Sequence, residues 1–141
     1  MDVIGLLKQL LALHSVAVEP LYEGAPVTQP ELEAMMMLRH AQRPGIARTL
    51  AAQLGLSRAA MSKTLARLEN RGFVGREANP ADRRAALVRL TPEGERVVDA
   101  MFPEQLGIEV ALLGGLTEDE RRRVLDALEL LKRTLAGAPV L

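Results

Sequence analysis

A cluster of basic and small polar residues has the spacing of one helix face. Its members are Ser57, Arg58, Ala59, Ser62, Lys63 and Arg67. Residues three or four positions apart lie on the same side of a helix. An arginine can donate two hydrogen bonds to guanine, a serine can contact a base edge or a phosphate, and a lysine can neutralise a phosphate. The small Ala59 permits close approach and contact with a thymine methyl group. The cluster is therefore a candidate for reading the major groove of double-stranded DNA.

A second basic group, Asp82-Arg83-Arg84, follows the turn-forming pair Asn79-Pro80. Two arginines at a hairpin tip can enter a minor groove, whose negative potential is strongest where A·T-rich DNA narrows it. A carboxylate does not face phosphate favourably. We therefore expect Asp82 to hold one of the two arginines through a side-chain ion pair.

The charge of the chain is unevenly distributed. The 141 residues carry 18 basic and 18 acidic side chains, so the formal net charge is zero. Residues 41–96 hold eleven basic and five acidic residues and have a net charge of +6, whereas residues 1–40 and 97–141 each have a net charge of −3. A basic middle segment between acidic ends indicates an anionic partner for that segment. Three arginines outside the two groups are either peripheral phosphate contacts or solvated surface charge: Arg48, Arg71 and Arg76.

The elements that must position these groups are two short helices and a hairpin. Residues 46–54 and 58–71 have helical periodicity, with Gly55 in the turn between them and Ser57 as the N-cap of the second helix. Residues 73–76 and 86–90 alternate as strands on either side of the Asn-Pro turn. The pattern predicts a mainly α fold with a small β-hairpin wing, that is, a winged helix-turn-helix domain.

Further helices flank this segment on both sides. Residues 3–19 are apolar on several faces, and Pro20 is expected to end or kink that helix. Thr28 and Glu31 form a capping-box pattern for a helix that ends near His40, and residues 92–113 form a long helix that Pro103 should bend. A second capping box at residues 117–120 opens the last helix. The apolar stripe of that helix, suited to packing on another helix, is Val124, Leu128, Leu131 and Leu135.

Several function classes find no support in the sequence. The absence of cysteine excludes disulfides, thiolate zinc sites and thiol sensing. No nucleophile elbow, P-loop or dinucleotide motif indicates an enzyme, and no cofactor is expected. The two histidines, His14 and His40, are too far apart in sequence for a zinc signature, so we expect no metal site. There is no signal peptide and no run of 18 consecutive apolar residues, so we expect a cytoplasmic protein without a membrane partner.

The segment LGLSRAAMSKTLARLENRGFVGREANPADRRAALVRLTPEG, residues 54–94, resembles the recognition helix, wing and following helix start of the MarR family of regulators. The most specific matches are the wing motif Asp82-Arg83-Arg84 and the Leu90-Thr91-Pro92-Glu93-Gly94 run. The resemblance implies a single MarR-like domain over residues 1–141. In it, residues 28–96 form the DNA-binding lobe, and residues 1–27 and 97–141 form the dimerisation helices. It also implies a homodimer that represses from a pseudo-palindromic operator and is often released by a small phenolic or aromatic-acid ligand.

Four residues are candidates for lining a pocket for such an effector: His14, Tyr22, Met36 and His40. Methionine adapts its shape to a ligand, but it also fills gaps in an ordinary core, and both histidines have interface or capping roles as alternatives. Two other functions stay open at this point. A winged-helix dimer can act as a protein-interaction module that docks an acidic partner on the +6 segment, or it can be a metal-responsive regulator.

Overall fold

The computed structural model describes residues 2–138. Within that range it contains six helices and three short strands. In chain order they are α1 (Val3–Tyr22), α2 (Gln29–His40), β1 (Gly45–Ile46), α3 (Ala47–Leu54), α4 (Arg58–Asn70), β2 (Val74–Glu77), β3 (Leu87–Leu90), α5 (Pro92–Leu112) and α6 (Glu118–Ala136). The predicted mainly α fold with a small β wing is confirmed.

Local chemistry sets most helix ends. At the start of α2 the Thr28 hydroxyl accepts from the Glu31 N–H, and the Glu31 carboxylate accepts from the Thr28 N–H at 2.8 Å. Thr117 and Glu120 form the same reciprocal pair at the start of α6. Both capping boxes are therefore confirmed. By contrast, α1 continues past Pro20 to Tyr22, so the predicted end of the helix at Pro20 is wrong. A proline in the last turn of a helix removes only one hydrogen bond, which the remaining residues tolerate.

The wing has one strand more than predicted. Its sheet has the order β1-β3-β2, with both pairs antiparallel. The hairpin pairs Val74 with Leu90 and Glu77 with Leu87, and on the other side of β3 the two-residue β1 pairs Gly45 with Val88. Because β1 leads directly into α3, the base of the wing is hydrogen-bonded to the start of the helix-turn-helix.

One hydrophobic core holds α2, α3, α4 and the sheet together. Its fully buried side chains include Leu32, Met35, Met61, Leu65 and Val88. Gly94 lets the start of α5 approach the chain before the wing, since a Cβ at that position would lie 2.1 Å from the Phe73 carbonyl oxygen. The core fixes the orientation of α4 relative to the sheet.

The chain divides into two compact units, one ending at Ile108 and the other beginning at Glu109. In the first unit, α1 has one buried residue, Val18, and exposes most of its apolar side chains. In the second unit, no described residue of α6 is buried. By length and composition α1, with a mean hydropathy of 1.3, is also the one helix among residues 2–138 that would pass as a membrane span, a test that core helices of soluble proteins pass as well.

Candidate nucleic-acid interface

Helix α4 is the predicted recognition helix, and it presents the predicted residues to solvent. Ser57 is its N-cap and accepts a hydrogen bond from the Ala60 N–H at 3.0 Å. The hydroxyl hydrogen of Ser57 stays available as a donor. The remaining predicted residues of α4 are all exposed, while the opposite face is buried. The exposed set is Arg58, Ala59, Ser62, Lys63 and Arg67.

The wing turn is held by side chains that accept backbone hydrogen bonds. Asn79, which is 8% exposed, accepts from the Ala81 N–H, and Asp82 accepts from the Arg84 N–H, both at 3.0 Å. The two wing arginines, Arg83 and Arg84, are exposed. The turn therefore leaves both arginines accessible to solvent.

The ion pair of Asp82 differs from the predicted one. The sequence suggested a side-chain pair with Arg83 or Arg84, but the Asp82 carboxylate lies 3.8 Å from Nη1 of Arg48, on α3. With Arg84, Asp82 forms a hydrogen bond to the backbone N–H. The reason is tertiary packing, which brings Arg48 of α3 within reach of the Asp82 carboxylate.

The recognition helix and the wing border one groove of about 540 Å³. It brings together predicted residues of both groups, Arg58 and Ser62 from α4 and Asp82 and Arg84 from the wing. It also includes Arg48 and Arg76, so four arginines and one aspartate line it. Ser57, Ala59, Lys63, Arg67 and Arg83 lie outside its lining. A groove with this excess of guanidinium groups matches a phosphate backbone in charge and hydrogen-bonding chemistry.

Arg71, at the end of α4, has a structural role that the sequence did not reveal. It forms an ion pair with the buried carboxylate of Glu31 and donates to the carbonyl oxygens of Pro26 at 2.6 Å and Arg67 at 3.1 Å. Its guanidinium also lies 5.8 Å from the Phe73 ring centroid. Burial alone raises the pKa of Glu31, but the hydrogen bonds from Arg71 and Thr28 outweigh it and lower that pKa below its usual range. Arg71 thus ties the recognition helix to the α1–α2 turn.

Comparison with known proteins identifies this architecture. A family model described as the MarR family matches residues 27–86. The transcriptional regulator HosA of Escherichia coli O111:H- is 34% identical over 116 residues, which cover 82% of this chain and 83% of HosA. The chain belongs to the MarR family. It is a transcription regulator with a DNA-binding winged-helix fold, and the MarR-family relatives found are transcriptional regulators rather than enzymes.

Solved MarR-family structures share the fold over nearly the whole chain. The Staphylococcus aureus MepR–DNA complex superposes with a TM-score of 0.85 at 18% identity, covering 95% of this chain and 98% of MepR. BpsR of Bordetella bronchiseptica, whose DNA binding is regulated by 6-hydroxynicotinic acid, has a TM-score of 0.81 at 25% identity, covering 93% of this chain and 99% of BpsR. The likeness to MepR shows that this chain has the winged-helix fold.

The four residues predicted to line an effector pocket lie in different parts of this MarR-family chain. Tyr22 donates a hydrogen bond to Gln105 and lines a cavity of about 470 Å³ between the end of α1, the α1–α2 turn and Arg71. His14, Met36 and His40 are absent from that lining. His40 packs edge-to-face on Phe102 with ring centroids 5.3 Å apart, and Met36 packs against the core. The effector pocket therefore stays a prediction.

Within residues 2–138, no group of three or more histidine, aspartate or glutamate side chains is arranged to hold a metal ion.

Proposed function

We propose that the chain is a homodimeric repressor that binds a pseudo-palindromic site in double-stranded DNA. The observation that carries this proposal is the arginine-lined groove between α4 and the wing. In the proposed complex, α4 enters a major groove with Arg58 toward base edges, and Arg83 and Arg84 reach the adjacent minor groove. In a dimer, two such helices read half-sites about one helical turn, roughly 34 Å, apart.

The exposed apolar residues of α1 and α6 support the homodimer. On α1, Leu6, Leu10 and Leu13 are 50%, 54% and 67% exposed. On α6, Val124, Leu128 and Leu135 of the predicted stripe are exposed as well. Apolar surface on this scale is rare on a monomer, and a helix that is apolar on several faces needs a partner to cover it. A second copy of the chain would cover this apolar surface.

Selection of DNA from a random duplex library tests the DNA-binding part of the proposal. We expect the purified protein to enrich a palindromic motif with two half-sites about ten base pairs apart. Absence of any enrichment at low salt would refute it and favour a protein-interaction module.

Placing the enriched motif between a promoter and a reporter gene tests the sign of regulation. We expect lower expression when the protein is present, and higher expression would contradict the assignment as a repressor.

Sedimentation analysis without detergent tests the dimer. We expect a homodimer for the natural chain and dissociation for Leu128→Glu, which places a charge in the exposed stripe of α6. Leu130→Glu is the matched control, because Leu130 is also exposed on α6 but lies off that stripe. A monomeric natural chain, or equal effects of the two substitutions, would contradict dimerisation through the stripe.

We further propose that a small phenolic or aromatic acid releases the DNA, and that the protein acts in the cytoplasm, where its DNA target lies. Support for the ligand comes from BpsR and from the cavity beside Tyr22. The test measures the affinity for the selected duplex with and without 6-hydroxynicotinic acid and salicylate. We expect at least one of them to weaken DNA binding. An unchanged affinity at millimolar concentrations of both would argue against this ligand class.

A further inference from the structure

The groove between α4 and the wing contains one carboxylate among four guanidinium groups. The arginines are Arg48, Arg58, Arg76 and Arg84, and the carboxylate is that of Asp82. A surface that binds a polyanion gains nothing in affinity from a negative charge placed beside its cations. Asp82 therefore needs a role that accounts for its place inside the groove.

The two carboxylate oxygens of Asp82 have separate partners. Oδ1 accepts the Arg84 N–H at 3.0 Å and so fixes the wing turn. Oδ2 faces Nη1 of Arg48 at 3.8 Å, and the two side chains are 39% and 58% exposed. Because this ion pair is long and exposed, it leaves the Arg48 guanidinium accessible, and a DNA phosphate can compete with Asp82 for it.

Carboxylate and phosphate compete for the same guanidinium donors. We propose that Asp82 is an internal competitor for DNA phosphate at Arg48, which weakens binding to DNA of any sequence while its other oxygen maintains the wing turn. The inference rests on the proposed DNA-binding function and adds a regulatory element to it.

The substitution Asp82→Asn separates the two roles. An asparagine oxygen can still accept the Arg84 N–H, but the side chain carries no charge to neutralise Arg48. We expect Asp82→Asn to bind a labelled random-sequence duplex about three- to tenfold more tightly near 0.1 M salt, with a salt slope steeper by about one unit, because one more cation contacts phosphate. In an Arg48→Gln background, the same substitution should give no gain, since the cation that it frees is missing.

Glu77→Gln is the matched control for the change in net charge. Glu77 accepts from Arg89 at 2.6 Å on the neighbouring strand, and neither residue lines the groove. The substitution Glu77→Gln removes one negative charge and frees one arginine, as Asp82→Asn does, but both residues lie outside the groove. We expect the affinity for the random-sequence duplex to stay unchanged. Circular dichroism of each variant checks that the fold is intact.

Arg48→Gln alone provides a second measurement that leaves the wing turn untouched. Because Asp82 already neutralises Arg48, this variant should lose less affinity for the random-sequence duplex than Arg84→Gln does. Equal losses overturn the inference.

Fluorescence anisotropy of the labelled duplex between about 50 and 200 mM salt measures all the variants. The inference is also overturned if Asp82→Asn gains no affinity, if its gain persists in the Arg48→Gln background, or if Glu77→Gln gains equally. If the natural protein binds no duplex even at low salt, the proposed function itself fails and the inference with it.

Discussion

Replacing Arg71 by alanine tests whether a buried carboxylate anchors the recognition helix. The Glu31 side chain is 4% exposed and the Arg71 side chain 36% exposed. Removing the partner of a buried charge costs about 3–5 kcal/mol when both groups are buried. Because water can partly replace the half-exposed Arg71, we expect a loss of about 2–3 kcal/mol in the free energy of unfolding. If the free energy of unfolding falls by about 2 kcal/mol per molar urea, the midpoint of the urea unfolding transition should fall by roughly 1 M.

Arg39→Ala is a closely matched control. The Arg39 side chain is 35% exposed and donates two hydrogen bonds to Asp99, but the Asp99 side chain is 56% exposed. The two arginines therefore differ mainly in the burial of their partners, and we expect Arg39→Ala to lower the urea midpoint much less. Unfolding should be compared at one protomer concentration, since dimerisation adds to stability. Equal losses for the two variants would refute the role assigned to the buried carboxylate.

The ion pair between Arg71 and Glu31 also predicts how the free energy of unfolding changes with pH. The pKa of Glu31 is lowered in the folded protein, so its stabilising contribution is present above the pKa of the unfolded chain, about 4.3, and is lost as the pH falls through the lower folded value. In Arg71→Ala, burial still raises the pKa of the Glu31 carboxyl, but the Arg71 cation that lowers it is missing. The stability difference between the natural chain and this variant should therefore shrink below about pH 4. A difference that stays constant from pH 7 to pH 3 would contradict this account.

Two further pairs of variants test the interface and the packing of α5. Arg58→Ala should weaken operator binding and relax base preference at one position in each half-site, by about 1–3 kcal/mol of discrimination, whereas Arg84→Ala should weaken binding with little change in major-groove preference. Repeating the DNA selection with each variant measures this, and an unchanged motif and affinity for Arg58→Ala would contradict the placement of α4. Gly94→Ala should destabilise the fold by about 1–3 kcal/mol, because its Cβ would meet the Phe73 carbonyl at 2.1 Å. Gly107→Ala, also on α5 but with nothing within 4 Å of its Cβ, should instead be neutral or stabilising in thermal unfolding, and the opposite order would contradict the packing described.

Features of the fold that depend on local sequence were predictable. Three such features each involve residues within a few positions of one another: the capping box of Thr28 and Glu31, the N-cap Ser57, and the left-handed Gly72 just after α4. The exposed face of α4 was predictable for the same reason, because helical periodicity assigns Met61 and its neighbours to the core and leaves the basic residues outside.

The features that the sequence did not predict depend on contacts between distant segments. The two-residue strand β1 exists only because Gly45 meets Val88 across the sheet. Arg71 pairs with a carboxylate 40 positions away, and its sequence neighbours give no sign of that partner. Asp82 turned toward Arg48 rather than toward the adjacent arginines. In each case the partner is selected by tertiary packing, which one-dimensional spacing does not encode.

The attachment of β1 to β3 has a consequence for how this regulator can evolve. The wing and the helix-turn-helix are joined there by backbone hydrogen bonds between Gly45–Ile46 and Leu87–Val88. Such bonds do not depend on side-chain identity. The angle between α4 and the wing, the two elements proposed to read DNA, is therefore insulated from substitutions on their surfaces. If α4 and the wing bind DNA as proposed, exchanges on their exposed faces would alter base preference while the packing of α4 against the sheet is kept.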